Sequence, residues 1–237
     1  MKIAIIGPLC SGKSTLACDL KLALENSEIH EEAYCIFIEK REVVPIAENS
    51  TKKSVRQLFE FTVESLKELN GNKTYIVIGT PLNEFMYAVA AMKTSETTDI
   101  DITFLNSLKA RVRHEMRQFD LILKVEEFQT IPYQFDGVSP NKNREHREFI
   151  NSVLNELLSV NSHWNVLDAM SLKKVQLVSG SREQRVAQTI NYLQLMNRKV
   201  LFTPGMPKFK IFSKKLDRLD ETSEPSQAKA NTILSKL

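Results

Sequence analysis

The sequence predicts an α/β protein in which a parallel five-stranded sheet lies between two layers of helices, a three-layer α/β/α sandwich. Two observations favour this class. Short apolar segments rich in β-branched residues alternate along the chain with longer segments of helical periodicity, as in proteins built from βαβ units. The 237 residues, 42% of them hydrophobic and 26% charged, also have the composition of an ordinary globular domain. We therefore expect one main α/β domain.

Strands and helices are expected in alternation along the chain. The predicted strands are 2–6, 34–38, 74–78, 121–125 and 175–179. The predicted helices lie near 13–25, 53–69, 82–93, 103–118, 143–159 and 181–195. The second helix has the clearest periodicity, since apolar residues recur every three or four positions along it. Such a stripe is typical of a helix that packs on a sheet.

The composition argues against a membrane or secreted protein. The longest apolar segments are far shorter than the roughly 20 residues of a membrane helix. The N-terminal segment also lacks the length of a signal peptide. Cys10, Cys18 and Cys35 show neither an even count nor a zinc-binding spacing. We therefore expect a cytoplasmic protein without a membrane segment.

The C-terminal part of the chain differs in composition from the rest. Seven of the 21 residues from 198 to 218 are Lys or Arg, against one acidic residue, Asp217, and the chain turns polar beyond residue 221. We predict a main domain over 1–197, with a lid near 126–150, and a basic, partly flexible extension over 198–237. The basic segment 198–218 could contact a nucleic acid or a protein partner. A solvated tail is the alternative.

The strongest functional signal lies at residues 7–14, Gly-Pro-Leu-Cys-Ser-Gly-Lys-Ser, which match the phosphate-binding pattern Gly-x-x-x-x-Gly-Lys-Ser/Thr. The motif falls between the first predicted strand and the first helix, where loop amides and the helix N-terminus converge on phosphate oxygens. Lys13 would bridge the β- and γ-phosphates, and Ser14 would ligate Mg²⁺. The residues expected to bind Mg·ATP are Gly7, Cys10, Ser11, Gly12, Lys13, Ser14 and Thr15.

This loop and the order of elements resemble the P-loop nucleoside and nucleotide kinases. More narrowly, the chain resembles the ribosylnicotinamide-kinase-like ATPases, a family with many viral members. Three further segments carry the resemblance, which covers about residues 1–195: Ile-Gly-Thr-Pro-Leu-Asn-Glu-Phe-Met-Tyr-Ala at 78–88, Phe-Asp-Gly-Val-Ser-Pro at 135–140 and Val-Ser-Gly-Ser-Arg-Glu-Gln-Arg at 178–185. The resemblance implies the P-loop fold and transfer of phosphate from ATP to a nucleoside, a nucleotide or a hydroxyl within DNA.

The chain departs from the pattern of these kinases at several positions. Gly79 and Thr80 lie where the family has an acid after the third strand, and Asn83 lies where a second acid is usual. Ser139 replaces an arginine of the lid. Loss of an acid and a cation lowers the rate of phosphoryl transfer more than it weakens binding. A nucleotide-binding regulatory or structural subunit without turnover is therefore the alternative function.

Other side chains could replace the missing groups. Glu39 follows the second predicted strand and would lie at the carboxyl edge of the sheet, where it could act as a base or substrate anchor. Asp136 could contact the acceptor, or could form an ordinary Asp-Gly turn. Arg144 and Arg147 share a helix face and could approach the triphosphate, although a solvated face is the alternative. The resemblance places the turn before Arg182 and Arg185 at the adenine; one of the two, with Arg182 as the candidate, could lie along the adenine, and the other could be a surface residue.

Overall fold

The computed structural model describes residues 1–40, 44–45, 49–69, 72–126 and 144–196, with the side chains of 38, 39 and 144 excepted. All of these residues belong to one compact unit, Met1–Met206. The predicted extension 198–237 and most of the predicted lid lie outside the described residues. Among the helices that are described, none is long and apolar enough to cross a membrane.

Strands and helices alternate along the described chain. The strands are β1 (Lys2–Ile6), β2 (Ser27–His30), β3 (Thr74–Val77), β4 (Leu121–Val125) and β5 (Val175–Val178). The helices are α1 (Lys13–Ala23), α2 (Ala33–Glu39), α3 (Lys52–Lys67), α4 (Pro81–Thr94), α5 (Ile102–Met116), α6 (Arg144–Leu158), α7 (Ala169–Leu172) and α8 (Arg182–Leu195). All six predicted helices are confirmed, with ends within about two residues of those expected, which is the usual uncertainty of a helix boundary.

The sheet contains the five strands in the order β2-β3-β1-β4-β5, and every pair is parallel. β1 lies in the centre, and its residues Ile3 to Ile6 are buried because helices cover both faces. From β1 the chain crosses to β2 and β3 on one side, and later to β4 and β5 on the other. In such sheets the ligand crevice lies at the carboxyl ends of the strands where the direction of winding changes. The predicted three-layer α/β/α fold is confirmed.

Helix α4 is the most deeply buried helix that the structure describes. Each residue from 81 to 91 is buried, and the helix packs against α3, α5 and α6. Pro81 occupies its first position, where the missing N–H costs nothing. Because only three residues separate the end of β3 from the start of α4, the first turn of α4 is fixed at the carboxyl edge of the sheet.

The predicted strand at 34–38 is wrong, because these residues form helix α2. A five-residue apolar run cannot be assigned to strand or helix from periodicity alone. The actual second strand, β2, has the polar sequence Ser-Glu-Ile-His, since it lies at the edge of the sheet and is only partly buried. Glu39 therefore ends a helix, and the argument that placed it at the carboxyl end of a strand is wrong.

Candidate functional site

The turn between β1 and α1 leaves the N-terminus of α1 open to an anion. Gly12, the N-cap, has a φ of 89°, and no side chain caps the helix. The first turn also lacks an acidic residue, so neither a side chain nor a carboxylate neutralises the amides and the positive end of the dipole. The hydroxyl of Ser11 is buried without a hydrogen-bond partner. These features fit the predicted phosphate cradle.

The loop packs too tightly to accept a side chain at Gly7. A Cβ there would lie 2.8 Å from Oγ of Ser11 and 3.3 Å from the carbonyl of Val125. Cys10 adopts a φ of 58°, the left-handed conformation that a tight turn requires and that few residues other than glycine adopt. The glycine spacing of the motif is therefore a steric requirement of this turn.

Lys13 begins α1 and is buried against the loop. Its Nζ donates a hydrogen bond to the carbonyl of Pro8 at 3.1 Å. Ser14 and Thr15 follow it and are exposed, so their hydroxyls are accessible to a bound ligand. Among the described residues no group of three or more His, Cys, Asp or Glu could hold a metal. Mg²⁺ does not need one, since it keeps several waters and commonly takes only one or two protein ligands beside the phosphates. The donor set around Ser14 therefore fits Mg²⁺ bound together with a nucleotide.

Arg185 of α8 holds the loop in place. Its guanidinium donates to three backbone carbonyls, those of Ser11, Glu126 and Gly180, each at 3.0 Å. Because the C=O and N–H of a trans peptide point in opposite directions, the contact to Ser11 turns the N–H of Gly12 away from Arg185. Burial lowers the pKa of Arg185, although an arginine remains charged in proteins. The sequence pattern included Arg185, but the predicted contact with the nucleotide was given to its neighbour on the helix, Arg182.

That neighbour, Arg182, makes a different contact. Its guanidinium forms a two-pronged ion pair with Asp19 of α1, at 2.6 and 3.0 Å. The side chain of Arg182 is 63% exposed, whereas Arg185 is 6% exposed. The structure thus assigns Arg182 a contact between α1 and α8, and its predicted place beside adenine stays a prediction.

A carboxylate that sequence reasoning missed lies beside the loop. Glu32 follows the end of β2, and its Oε1 is 3.4 Å from Nζ of Lys13, an ion pair without hydrogen-bond geometry. Gly79, after β3, makes room for it, since a Cβ on Gly79 would come within 2.7 Å of the Cα of Glu32. An acid that follows β2 therefore lies beside the loop, whereas the acid expected after β3 is absent. The sequence signal for this acid was the pair of glutamates at 31–32. It could not be recognised because the second strand was predicted at 34–38, after these residues, and not at 27–30, before them.

The first turns of α4 bring further polar groups to this place. The Thr80 hydroxyl donates to Oδ1 of Asn83 at 2.7 Å. Burial, and to a lesser extent the charge of Glu32, raise the pKa of Glu84 to about 8. The pKa of Tyr87 is raised by burial and by the charges of Glu32, Glu84 and the Cys10 of the loop. Glu84 and Tyr87 therefore lie within electrostatic range of Glu32, and Asn83 lies in the same first turns of α4.

The candidates from the predicted lid are described only in part. Asp136 falls in 127–143, outside the described residues, and the side chains of Glu39 and Arg144 are not described either. Arg147 lies on α6, the helix that packs against α4, and is partly buried. The proposed roles of these four residues stay predictions.

The three contacts of Arg185 predict that Arg185→Lys weakens the binding of Mg·ATP about tenfold, because a lysine keeps the charge but cannot reach three carbonyls. Calorimetric titration measures the change. Arg182→Lys alters the same helix at an exposed ion pair and should change the affinity by less than about twofold. The opposite order of effects would contradict the role of Arg185 and favour the place beside adenine predicted for Arg182.

The buried carboxyl of Glu84 predicts a pH-dependent stability. It titrates near 4.5 when unfolded and at about 8 when folded, so the folded state holds an extra proton between these values. The free energy of unfolding must then fall as the pH rises through this range. Glu84→Gln removes the dependence, and we expect its stability relative to the natural protein to increase by about 2–4 kcal/mol between pH 5 and 8. Urea denaturation at both pH values, with the exposed Glu64→Gln as control, tests this, and parallel curves for Glu84→Gln and the natural protein would contradict it.

The comparisons with known proteins agree with this geometry. No family model matches the sequence, and no curated protein is a significant match. The backbone is similar to the NadR protein in complex with NR, with a TM-score of 0.60 and 14% identity over 84% of this chain and 52% of that one. The described chain thus matches about half the length of that NadR chain.

Two shorter kinases match over almost their whole length. A deoxyadenosine kinase from M. mycoides with dCMP and dCDP bound has a TM-score of 0.54 and 16% identity, over 83% of this chain and 100% of that one. Thymidylate kinase from Candida albicans has a TM-score of 0.55 and 13% identity, over 85% and 96%. At these identities the similarity establishes the fold. The chain therefore has the fold of the P-loop nucleoside and nucleotide kinase superfamily, which its phosphate-binding loop had indicated.

Proposed function

We propose that the protein is an ATP-dependent kinase that phosphorylates a hydroxyl of a nucleoside, a nucleotide or a nucleic acid. The observation that carries the proposal is the 3.4 Å approach of the Glu32 carboxylate to the Lys13 ammonium. Because the lysine of this motif contacts the β- and γ-phosphates, the carboxylate lies near the place where an acceptor hydroxyl would attack. A group that accepts the hydroxyl proton must lie within hydrogen-bond reach of that place.

In the proposed reaction, different residues bind the phosphates and accept the proton. The backbone N–H groups of residues 9–13 and the ammonium of Lys13 hold the phosphates, and Ser14 would hold Mg²⁺, which neutralises their charge when bound. Glu32 accepts the proton of the acceptor hydroxyl as the new O–P bond forms at the γ-phosphorus. The bond from that phosphorus to the β-γ bridging oxygen breaks, and ADP leaves.

Several predicted features belong to this proposal without being part of its support. Asp136, Arg144 and Arg147 would contact the acceptor and the triphosphate from the lid at 126–150, and Arg182 would lie beside the adenine. The basic extension over 198–237 would dock a nucleic acid or a protein partner, and the protein would work in the cytoplasm.

The position of Glu32 favours catalysis over the alternative of nucleotide binding without turnover. That alternative rested on Gly79, Asn83 and Ser139, and Glu32 bears on the missing acid at Gly79. A neighbouring strand end supplies a carboxylate at the loop instead, and the glycine leaves space for its backbone. The solved neighbours support the same direction, since two of them are a deoxyadenosine kinase and a thymidylate kinase.

Substitution of Glu32 tests the proposal. Purified protein with γ-labelled ATP and Mg²⁺ is assayed against nucleosides, nucleotides, nicotinamide riboside and DNA. Glu32→Gln should lower kcat about 10²- to 10⁴-fold, as loss of a general base does, and leave the affinity for ATP within about threefold. Glu31→Gln, the same change at the exposed neighbour, should retain at least about half of the activity, since surface substitutions have small effects.

Lys13→Ala is the second control and should abolish both ATP binding and transfer. If the natural protein binds ATP but labels no acceptor, the binding subunit replaces the kinase as the proposed function. Full activity of Glu32→Gln would contradict the role given to this carboxylate.

A further inference from the structure

The charges beside the loop are unfavourable for a phosphorylated acceptor. Glu32 brings a carboxylate there from the end of β2, whereas burial raises the pKa of the Glu84 carboxyl on α4 to about 8, so that this group is mostly protonated at neutral pH. Of these two carboxyl groups, Glu32 forms an ion pair within the described chain, and its partner is Lys13. The proposed mechanism commits Lys13 to the phosphates of ATP. A phosphate of the acceptor would therefore lie beside the Glu32 carboxylate while Lys13 is bound to ATP, and the like charges would repel each other.

The same place offers uncharged hydrogen-bond donors that have no partner among the described residues. Asn83 is 4% exposed and Tyr87 is 9% exposed. The Thr80 hydroxyl donates to Oδ1 of Asn83, whereas Nδ2 of Asn83 is a buried donor with no partner among the described residues. The buried hydroxyl of Tyr87 has no partner among them either. Buried polar groups are rarely left unsatisfied, since each costs stability. These two groups therefore point to a ligand.

The positions of these donors make a shared contact feasible. Asn83 and Tyr87 are four residues apart, so they lie on one face of α4 in successive turns. Tyr87 is close enough to Glu32, Glu84 and Cys10 for their charges to act on it. The other residues in this part of the helix, such as Leu82, Phe85 and Met86, are apolar and buried, so the polar positions stand out from an apolar core.

We propose that the acceptor site takes an unphosphorylated nucleoside, and that Asn83 and Tyr87 donate hydrogen bonds to its sugar or base oxygens. Neutral donors match hydroxyl and carbonyl oxygens, whereas a phosphate calls for arginine or lysine. This inference rests on the proposed function, because it assumes that the hydroxyl to be phosphorylated lies beside Glu32. It excludes nucleoside monophosphates as the preferred substrates.

Two measurements on the full chain separate this inference from the proposed function. The first is equilibrium binding of the ribo- and deoxyribonucleosides and their 5′-monophosphates in the presence of Mg²⁺ and AMP-PNP. The second is transfer of label from ATP to the same compounds. We expect at least one nucleoside to bind about tenfold more tightly than its monophosphate, and to be phosphorylated with a kcat/KM about 100-fold higher, since like charges in a site of low dielectric oppose binding.

Each possible outcome has a different consequence for the kinase and for the nucleoside site. Nucleoside binding without label transfer supports the inference and contradicts the proposed kinase. Transfer to monophosphates as fast as to nucleosides, or faster, supports the kinase and overturns the inference. Absence of binding by both classes overturns the inference as well.

Tyr87→Phe tests the contact itself. It removes a hydroxyl that has no partner, so the melting temperature should stay the same or rise, while nucleoside affinity falls about fivefold or more and ATP affinity is unchanged. Thr62→Val is the matched control, because Thr62 of α3 also has a buried hydroxyl without a partner. This control should leave nucleoside affinity unchanged. Unaltered nucleoside binding by Tyr87→Phe would overturn the proposed contact.

Asn83→Asp gives a second test, since it replaces the donor Nδ2 by an acceptor of the same shape. We expect it to weaken nucleoside binding about tenfold, because a buried donor becomes a group that repels the same oxygen. Circular dichroism and the melting temperature show whether the variant is folded. Nucleoside affinity unchanged in a folded Asn83→Asp protein would overturn the contact to Asn83.

Discussion

The unfilled N-terminus of α1 is the constraint around which the site is organised. The turn must leave its amides free to meet an anion, so the helix starts at a glycine in the left-handed region with no side chain to cap it. Such an end lowers the stability of the free protein. Contacts elsewhere hold the turn in place: Lys13 binds the carbonyl of Pro8, and Arg185 binds that of Ser11. The loop is thus shaped in advance of any ligand, which reduces the entropy lost on binding.

The sheet brings the remaining groups to the same edge. β1 and β3 are neighbours and β2 pairs with β3, so the loop, Glu32 and the start of α4 all follow the carboxyl ends of adjacent strands. In this chain the acid, Glu32, follows β2, and a glycine, Gly79, follows β3, where an acid was expected. A side chain at Gly79 would clash with the backbone of Glu32, so the glycine after β3 allows the segment after β2 to approach. The fold thus brings a carboxylate beside the loop, although the motif after β3 lacks one.

The sequence was sufficient for the loop, for six of the eight described helices and for four of the strands, because local patterns determine them. The phosphate-binding motif has a fixed spacing, and the long helices have clear periodicity. The second strand could not be located, since an edge strand is partly exposed and the Ser-Glu-Ile-His of β2 carries a weak apolar signal. The apolar run at 34–38 owes its composition to packing of α2 against α3, which its sequence does not reveal.

The side-chain roles that the sequence did not reveal depend on contacts between distant parts of the chain. Arg185 holds carbonyls of residues 11, 126 and 180, a set that only the folded chain brings together. The same holds for Asn83 and Tyr87, whose sequence positions fit an ordinary core helix. Their significance comes from the missing partners.

Calorimetric titration of Mg·ATP into the full chain tests the central claim most directly, namely that the turn after β1 binds a polyphosphate. The account predicts one site per chain with a dissociation constant between about 1 μM and 1 mM, the usual range for enzyme substrates, and weaker binding when Mg²⁺ is removed. Absence of detectable binding at about 10 mM nucleotide, ten times the upper end of that range, would contradict it.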